Sequence, residues 1–203
     1  MKPYKVLTIN PGSTSTKIAL FEGEECLYSQ TVSHEAKELE QYASMSEQLP
    51  YRRDTVLNLL KEAGIGLEEV DVFVGRGGGL IAMEGGTYGV TDLMLEHART
   101  CANGVIHPAA LGSQLANEFA QAYGAKAMVV NPPDVDELHD LARMTGIRGI
   151  HRIIHLYALN LKETAIRHSK NVMKQPYAEC RYVVCHIGGG ISISAHEKGR
   201  MID

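Results

Sequence analysis

The hydrophobic pattern of the first thirty residues is that of strands, an apolar run that reads as buried followed by a segment alternating at a two-residue period. Tyr4 to Asn10 (YKVLTIN) reads as a strand, Pro11-Gly12-Ser13 turns it, and Thr16 to Phe21 (TKIALF) returns, which predicts a hairpin with a polar tip. Gly23-Glu24 marks a second turn, and Glu25 to Ser33 predicts a third strand. The period then lengthens. Val56, Leu57, Leu59, Leu60 and Ala63 fall on one face of a helix over 52–63, stopped by Gly64. Val70 to Val74 is a short apolar strand running into Gly75-Arg76-Gly77-Gly78-Gly79. Asp92 is the predicted N-cap of a helix reaching Thr100, and Pro108 opens an Ala-rich helix to Tyr123. Lys126 to Val130 predicts a strand ended by Asn131-Pro132-Pro133, with helices over 137–144 and 151–168 after it. Tyr182 to Ile187, three glycines, and Ile191 to His196 close the chain as a second hairpin.

Three meandering strands followed by helix–strand alternation predict an α/β protein with a mixed sheet covered by helices. There is no internal repeat and no low-complexity linker. A two-stranded hairpin is at best marginally stable alone. Because the last hairpin has no helices after it to cover it, the expectation is a chain cut short at Asp203.

Composition narrows the function classes. The 203 residues are 44% hydrophobic and 22% charged with a formal net charge of -4, and no block of Lys and Arg marks a nucleic-acid or anionic-membrane footprint. An acidic balance leaves anion binding open, because backbone N–H groups bind phosphate without net positive charge. The start, Met1-Lys2-Pro3-Tyr4-Lys5, lacks the apolar core of a signal peptide. No apolar run approaches the ~20 residues needed to span a bilayer. Cys26, Cys101, Cys180 and Cys185 are scattered without a CxxC pair, which reads as buried, reduced thiols. A cytoplasmic protein is expected.

Two clusters carry candidate chemistry. Asn10 to Lys17 (NPGSTSTK) offers a close backbone approach at Gly12, hydroxyls from Ser13, Thr14, Ser15 and Thr16, a cation at Lys17 and an amide at Asn10. Phosphoryl oxygens need such donors and charge neutralisation. The segment is no P-loop, since it lacks the second Gly before Lys and joins two strands. Alone, these eight residues fit a plain polar turn as well. His186 to Ser194 (HIGGGISIS) repeats the design of strand, glycine turn, hydroxyls and strand. Taken singly, Arg76 also fits a strand cap and His186 a core histidine. His151 and His155 sit a helical turn apart in HRIIH, but with no third ligand and no Glu between them no metal site is expected.

Two such hairpins, one opening each half of the chain, resemble the facing phosphate loops of the actin, sugar kinase and Hsp70 superfamily. More closely, NPGSTSTK (10–17), VGRGGGL (74–80), VDELHDLARMTG (135–146), ALNLK (158–162) and HIGGGISI (186–193) are similar in order and content to butyrate kinase, within the acetate, propionate and butyrate kinase family. Gly189, where acetate kinases carry Asn, favours the butyrate branch. The resemblance implies an actin-like (ribonuclease H-like) mixed sheet with flanking helices over 1–147. It also implies a linking helix and the opening hairpin of a second, nucleotide-binding domain over 148–203. The implied reaction is ATP + butanoate = ADP + butanoyl phosphate, with ATP and Mg2+ as cofactors and no nucleic-acid or membrane partner. A homodimer held chiefly through the second domain is the implied assembly.

The same resemblance gives the residues their roles. Asn10 lies near the Mg2+ and the phosphates. Ser13, Ser15 and Lys17 line the first phosphate loop, and Gly188, Gly189 and Gly190 let the nucleotide phosphates close in. Arg76 holds the carboxylate and the transferring phosphoryl group, to which His186 also hydrogen-bonds. Transfer is expected by in-line attack of a carboxylate oxygen on the γ-phosphorus, catalysed by positioning and charge neutralisation.

Three departures from the family pattern stand out. Asn131 replaces an Asp, and Tyr157 precedes Ala158-Leu159-Asn160 where the family has His, with His155 two residues earlier. Family members also continue for well over a hundred residues. The expectation is therefore a fragment without turnover of its own. The alternative is a catalytically weakened paralogue acting as a binding or regulatory module.

Overall fold

The computed structural model describes residues 2–188 and 190–203. Contacts divide the chain into two compact units, residues 1–81 with 87–130, and residues 82–86 with 131–203. The division falls after Val130, earlier than the 147/148 boundary expected from the sequence. The segment 131–137 turns back onto residues 82–86, where Met83 bridges to Val135 and the Met83 N–H donates to the Asp134 carbonyl at 3.1 Å.

The first unit is built on a six-stranded mixed sheet. Strands β1 (Lys5–Pro11), β2 (Ser15–Glu22) and β3 (Glu25–Ser33) meander antiparallel. After helices α1 (Ala36–Leu39) and α2 (Leu49–Glu62), strand β4 (Val72–Gly75) joins parallel to β1. A short β5 (Thr87–Gly89) precedes helices α3 (Asp92–Thr100) and α4 (Ala110–Tyr123), and β6 (Lys126–Val130) then lies parallel to β4. The spatial order is β3-β2-β1-β4-β6-β5. Leu7, Ile9, Ile18, Val56, Leu60, Phe73, Leu111, Leu115 and Phe119 make one continuous core between this sheet and helices α2 and α4. Strand alternation and helical period thus point to a shared apolar layer.

Helix α3 is capped by Thr91 instead of Asp92: its Oγ1 accepts the Met94 N–H at 3.2 Å, leaving Asp92 in the first turn, where its charge suits the helix dipole. The glycine cluster after β4 has a packing reason. A Cβ on Gly75 would collide with the Gly112 carbonyl, and one on Gly112 would come within 2.9 Å of the Arg76 and Gly77 nitrogens. The end of β4 therefore rests directly on the start of α4.

In the second unit, helix α5 (Ala158–His168) packs on an antiparallel sheet of β7 (Arg181–Ile187), β8 (Ile191–Glu197) and β9 (Arg200–Met201). Val135, Ala158, Leu161, Ala165, Val184 and Met201 form its core. Two predicted helices shrink. Only a 3-10 turn, Asp140–Arg143, forms within 137–144, because Asp136 takes the Leu138 N–H at 3.2 Å and both Arg143 guanidinium nitrogens at 2.7 Å. Local side-chain bonds here compete with the helical ladder. Residues 151–157 are not helical, since the Arg152 N–H goes to the Arg143 carbonyl and the Leu156 N–H to the Pro133 carbonyl. His151 and His155 are consequently not a helical turn apart.

The cysteines are free, as expected, but only Cys180 is buried; Cys26 and Cys185 are exposed. No helix among the described residues is long and apolar enough to cross a membrane.

Candidate functional site

The first hairpin has a stitched tip. The Gly12 N–H donates to the Ser15 carbonyl at 2.7 Å, and the His34 N–H donates to the Thr14 carbonyl at 2.8 Å. Both carbonyls are thus turned inward and satisfied. Among the described residues, nothing accepts from the N–H of Ser13 or Thr14. A turn of this kind presents donors to an anion. Asn10 and Lys17 are direct cross-strand partners and so project from the same face of the sheet, both exposed, while the intervening Thr16 is wholly buried on the other face.

Thr16 starts a hydrogen-bonded chain. Arg52, on α2, is 0% exposed, and its Nη1 donates to Thr16 Oγ1 at 3.0 Å and to the Ser15 carbonyl at 3.4 Å. Its Nε and Nη2 both donate to Gln48 Oε1. Thr16 Oγ1 lies 2.8 Å from His34 Nε2, His34 Nδ1 lies 2.9 Å from the Tyr51 hydroxyl, and that hydroxyl donates to Glu38 Oε2 at 2.9 Å. Donor bookkeeping assigns one direction. Glu38 only accepts, so the Tyr51 hydroxyl gives its proton there and accepts the one on His34 Nδ1. The neutral ring then leaves Nε2 to accept from the Thr16 hydroxyl, whose oxygen accepts from Arg52. Burial, reinforced by the Arg52 charge, lowers the His34 pKa and keeps this tautomer neutral.

Arg76 follows β4, half-buried, with its N–H on the Ile9 carbonyl at 3.0 Å. Its Nη1 lies 3.5 Å from Asn10 Oδ1, so the two candidates meet at the carboxyl ends of adjacent parallel strands. That is where open α/β sheets place ligands. Asn10 and the serine hydroxyls are hard, neutral oxygen donors. Magnesium keeps several waters, and a cation beside Asn10 disfavours a direct bond, so this set suits a metal held through water. His107 was not singled out by the sequence. The Ala109 N–H donates to its Nδ1 at 3.0 Å, which puts the proton on Nε2, 3.5 Å from Ser13 Oγ. Its place just before Pro108, at the entry to the Ala-rich helix, was the available signal.

In the second unit, His186 is half-buried near the end of β7, with Nδ1 3.3 Å from Asn160 Oδ1. Its ring lies against Tyr157, with centroids 4.3 Å apart. Gly188 and Gly190 are exposed beyond it, joined by a Gly188 N–H bond to the Gly190 carbonyl at 3.0 Å. A Cβ on Gly190 would sit 3.6 Å from the Tyr157 hydroxyl. Gly189 lies outside the described residues. The segments ALNLK and HIGGG therefore meet through Asn160, a contact the sequence did not assign.

Asn131 adopts φ 40, the left-handed region, and its Oδ1 accepts the Gly86 N–H at 2.8 Å. His155 Nδ1 stands 3.9 Å from buried Asp134 Oδ1. Below lies a buried ion pair the sequence did not flag. Lys162 Nζ donates to both Glu137 oxygens at 2.9 and 2.7 Å and to the Gly199 carbonyl at 3.2 Å. Glu137 also accepts the Gly85 and Met201 N–H groups at 3.0 and 2.7 Å. Burial pushes the Glu137 pKa up, but the Lys162 and backbone donors outweigh it and hold it below the usual range. In the same unit His196, 2% exposed, is bonded by Tyr177 at Nδ1 and Ser194 at Nε2, both at 2.6 Å.

No protein-family model matches the chain. It is 44% identical over 200 residues to butyrate kinase 2 of Clostridium acetobutylicum, covering 98% of this chain and 56% of that protein. It is 41% identical over 202 residues to a probable butyrate kinase of Elusimicrobium minutum, covering 98% of this chain and 54% of that one. The chain thus spans about half the length of the curated relatives it matches. Among solved structures, Porphyromonas gingivalis acetate kinase superimposes with a TM-score of 0.67 at 17% identity, covering 98% of this chain and 56% of that one. A Francisella tularensis propionate kinase gives 0.61 at 17%, with the same coverages. At these identities the structural likeness establishes the fold, an actin-like mixed α/β sheet with flanking helices.

Proposed function

From the strong homology of this chain to the butyrate and acetate kinase family, we propose that it supplies the acyl-substrate and first phosphate-loop side of a carboxylate kinase, with ATP + butanoate = ADP + butanoyl phosphate as the reaction. The observation that carries this reading is the meeting of Arg76 Nη1 and Asn10 Oδ1, 3.5 Å apart, on the strand that opens into the hydroxyl-rich hairpin. In this proposal the planar guanidinium of Arg76 binds the butanoate carboxylate and then the transferring phosphoryl group, for which its fork is suited. Lys17 and the N–H groups of Ser13 and Thr14 neutralise and orient phosphate oxygens, with Ser13 and Ser15 adding hydroxyl donors. Asn10 holds the waters of a magnesium ion, whose charge neutralises the phosphates. His186 gives its Nδ1 proton to Asn160, so it would donate from Nε2 to the phosphoryl group only as an imidazolium, and Gly188 and Gly190 leave room for the nucleotide's tail.

A carboxylate is already ionised at neutral pH, so no general base is required, and the departures at Asn131 and Tyr157 are compatible with transfer. Since the chain spans 56% of butyrate kinase 2, turnover by these 203 residues alone is not expected. Hydroxamate trapping with MgATP and butanoate should therefore stay at background for this chain. The binding role itself is tested by amide hydrogen exchange with millimolar MgATP. Protection of 12–17 and 186–190, lost at 12–17 in Lys17→Ala, is expected; no protection at either hairpin sinks the reading. A binding-only module is the second reading, favoured by Tyr157 covering one face of His186. It predicts that a version of full family length binds MgATP but yields no acyl phosphate.

A further inference from the structure

We propose that Arg52 is a positioning residue for the first phosphate-binding hairpin: its buried guanidinium, tied to the Ser15 carbonyl and the Thr16 hydroxyl, holds the tip in the shape that presents the Ser13 and Thr14 N–H groups outward. The inference rests on the reading of 10–17 as a phosphate loop for its purpose, though not for its geometry.

A fully buried arginine is uncommon unless it is paired, because removing its charge from water is expensive. Here all of its hydrogen bonds go to neutral oxygens, those of Gln48, Ser15 and Thr16. The counter-charge, Glu38, is reached only at the far end of the chain through Thr16, His34 and Tyr51. An apolar side chain of similar volume would avoid desolvating a charge but would leave the buried Gln48 oxygen without these donors. What the guanidinium adds is specific. Nη1 draws the Ser15 carbonyl inward, and that same oxygen accepts the Gly12 N–H that closes the tip. The His34 segment does the same to the neighbouring carbonyl, through its N–H on Thr14. With both carbonyls so held, the Ser13 and Thr14 N–H groups are the ones left without an acceptor among the described residues. The arginine also brings a positive charge under a loop meant for anions, where burial weakens solvent screening. Both effects act through the loop, with no contact between Arg52 and a ligand.

The experiment uses the 203-residue chain, with magnesium tripolyphosphate as the probe. Arg52→Lys keeps the charge but loses the fork, Arg52→Met loses both, and Thr16→Val removes the bridging hydroxyl while Arg52 stays. Thr16→Ser restores that hydroxyl. Two readouts are taken: NMR amide shifts of 12–16 without ligand, and the dissociation constant of the probe. The proposal expects displaced amide shifts in Arg52→Met and Thr16→Val, near-wild-type shifts in Thr16→Ser, and binding weakened about tenfold to a hundredfold wherever the shifts move. If Arg52→Met fails to fold, Thr16→Val against Thr16→Ser decides alone. Unchanged tip amides in a folded Thr16→Val or Arg52→Met chain would overturn the positioning role. Displaced amides with a wild-type chain that never binds the probe would support it, and would instead count against the phosphate reading of the loop.

Discussion

The Tyr157 ring lies 4.3 Å from the His186 imidazole, centroid to centroid with 34° between planes, while His186 Nδ1 faces the Asn160 carboxamide oxygen at 3.3 Å. One neighbour covers the imidazole face and the other fixes its proton. An acceptor at Nδ1 selects the Nδ1–H tautomer, the less common form of a free neutral imidazole. Asn160→Ala should therefore return His186 toward the Nε2–H form. Side-chain 15N shifts in a two-bond 1H–15N correlation at pH 8 read this directly. An unchanged tautomer would show that Asn160 does not orient the ring. The stability loss should stay near ~0.5–1 kcal/mol, as for one partly exposed hydrogen bond.

Asn131 occupies a position where a left-handed backbone and an acceptor oxygen are both needed. Asn and Asp visit that region more readily than other residues with a Cβ. Either side chain can take the Gly86 N–H that Asn131 Oδ1 now accepts at 2.8 Å. Asn131→Asp is thus expected to leave the urea midpoint within about 0.5 kcal/mol of wild type. Asn131→Ala, losing both features, should cost about 1–2 kcal/mol. Equal losses in the two variants would mean that neither feature matters.

Strands β1, β2, β7 and β8 were legible from their buried positions and β3, which has only Tyr28 and Val32 half-buried, from the Gly23-Glu24 turn before it. The bounds of all five match the sequence reading within two residues. The helices expected over 137–144 and over 151–157, the front of the 151–168 helix, do not form for a shared reason: helical periodicity is silent about where donors find acceptors outside the helix. The local Asp136–Arg143 pair decides the first region, and the Arg143 and Pro133 carbonyls decide the second. Among the candidate residues, Asn10, Arg76 and His186 stood out in the sequence through the glycines near them. Arg52, His34 and Asn160 did not, since a lone Arg or His on an amphipathic segment reads as solvated surface. The three-residue β5 carries too few positions for any period.

Glu137 and Lys162 tie residues from four segments of the second unit, through the backbone of Gly85, Gly199 and Met201. Breaking such a pair on one side leaves a charge stranded in the interior. Lys162→Met should therefore destabilise the second unit by about 3–5 kcal/mol, and Glu137→Gln, which keeps one acceptor oxygen for the backbone, by somewhat less. Adding Glu137→Gln to Lys162→Met should recover part of that loss, because no charge then remains unpaired. Urea titrations of the three variants, followed by circular dichroism, give the coupling. Strict additivity in the double variant would contradict a direct pair.

His196 makes stability depend on pH in a defined window. Burial, with the positive charge of Lys162 beside it and Glu137 opposing more weakly, lowers its pKa from 6.5 to about 4. In the unfolded chain the imidazole takes up a proton near its ordinary value; in the folded one it stays neutral until about pH 4. Between those values the unfolded state binds more protons, so stability is fully present above pH 6.5 and declines as pH falls towards 4. The neutral ring suits its partners, as Tyr177 and Ser194 need one donor and one acceptor between them. His34 shifts in the same direction in the first unit, so the His196 share is isolated by comparison with His196→Gln. Wild type should lose about 2–3 kcal/mol more than that variant between pH 7 and 4.5, read from urea midpoints at each pH. Parallel profiles for the two proteins would mean that His196 titrates alike in both states, and the buried neutral imidazole would have to be abandoned.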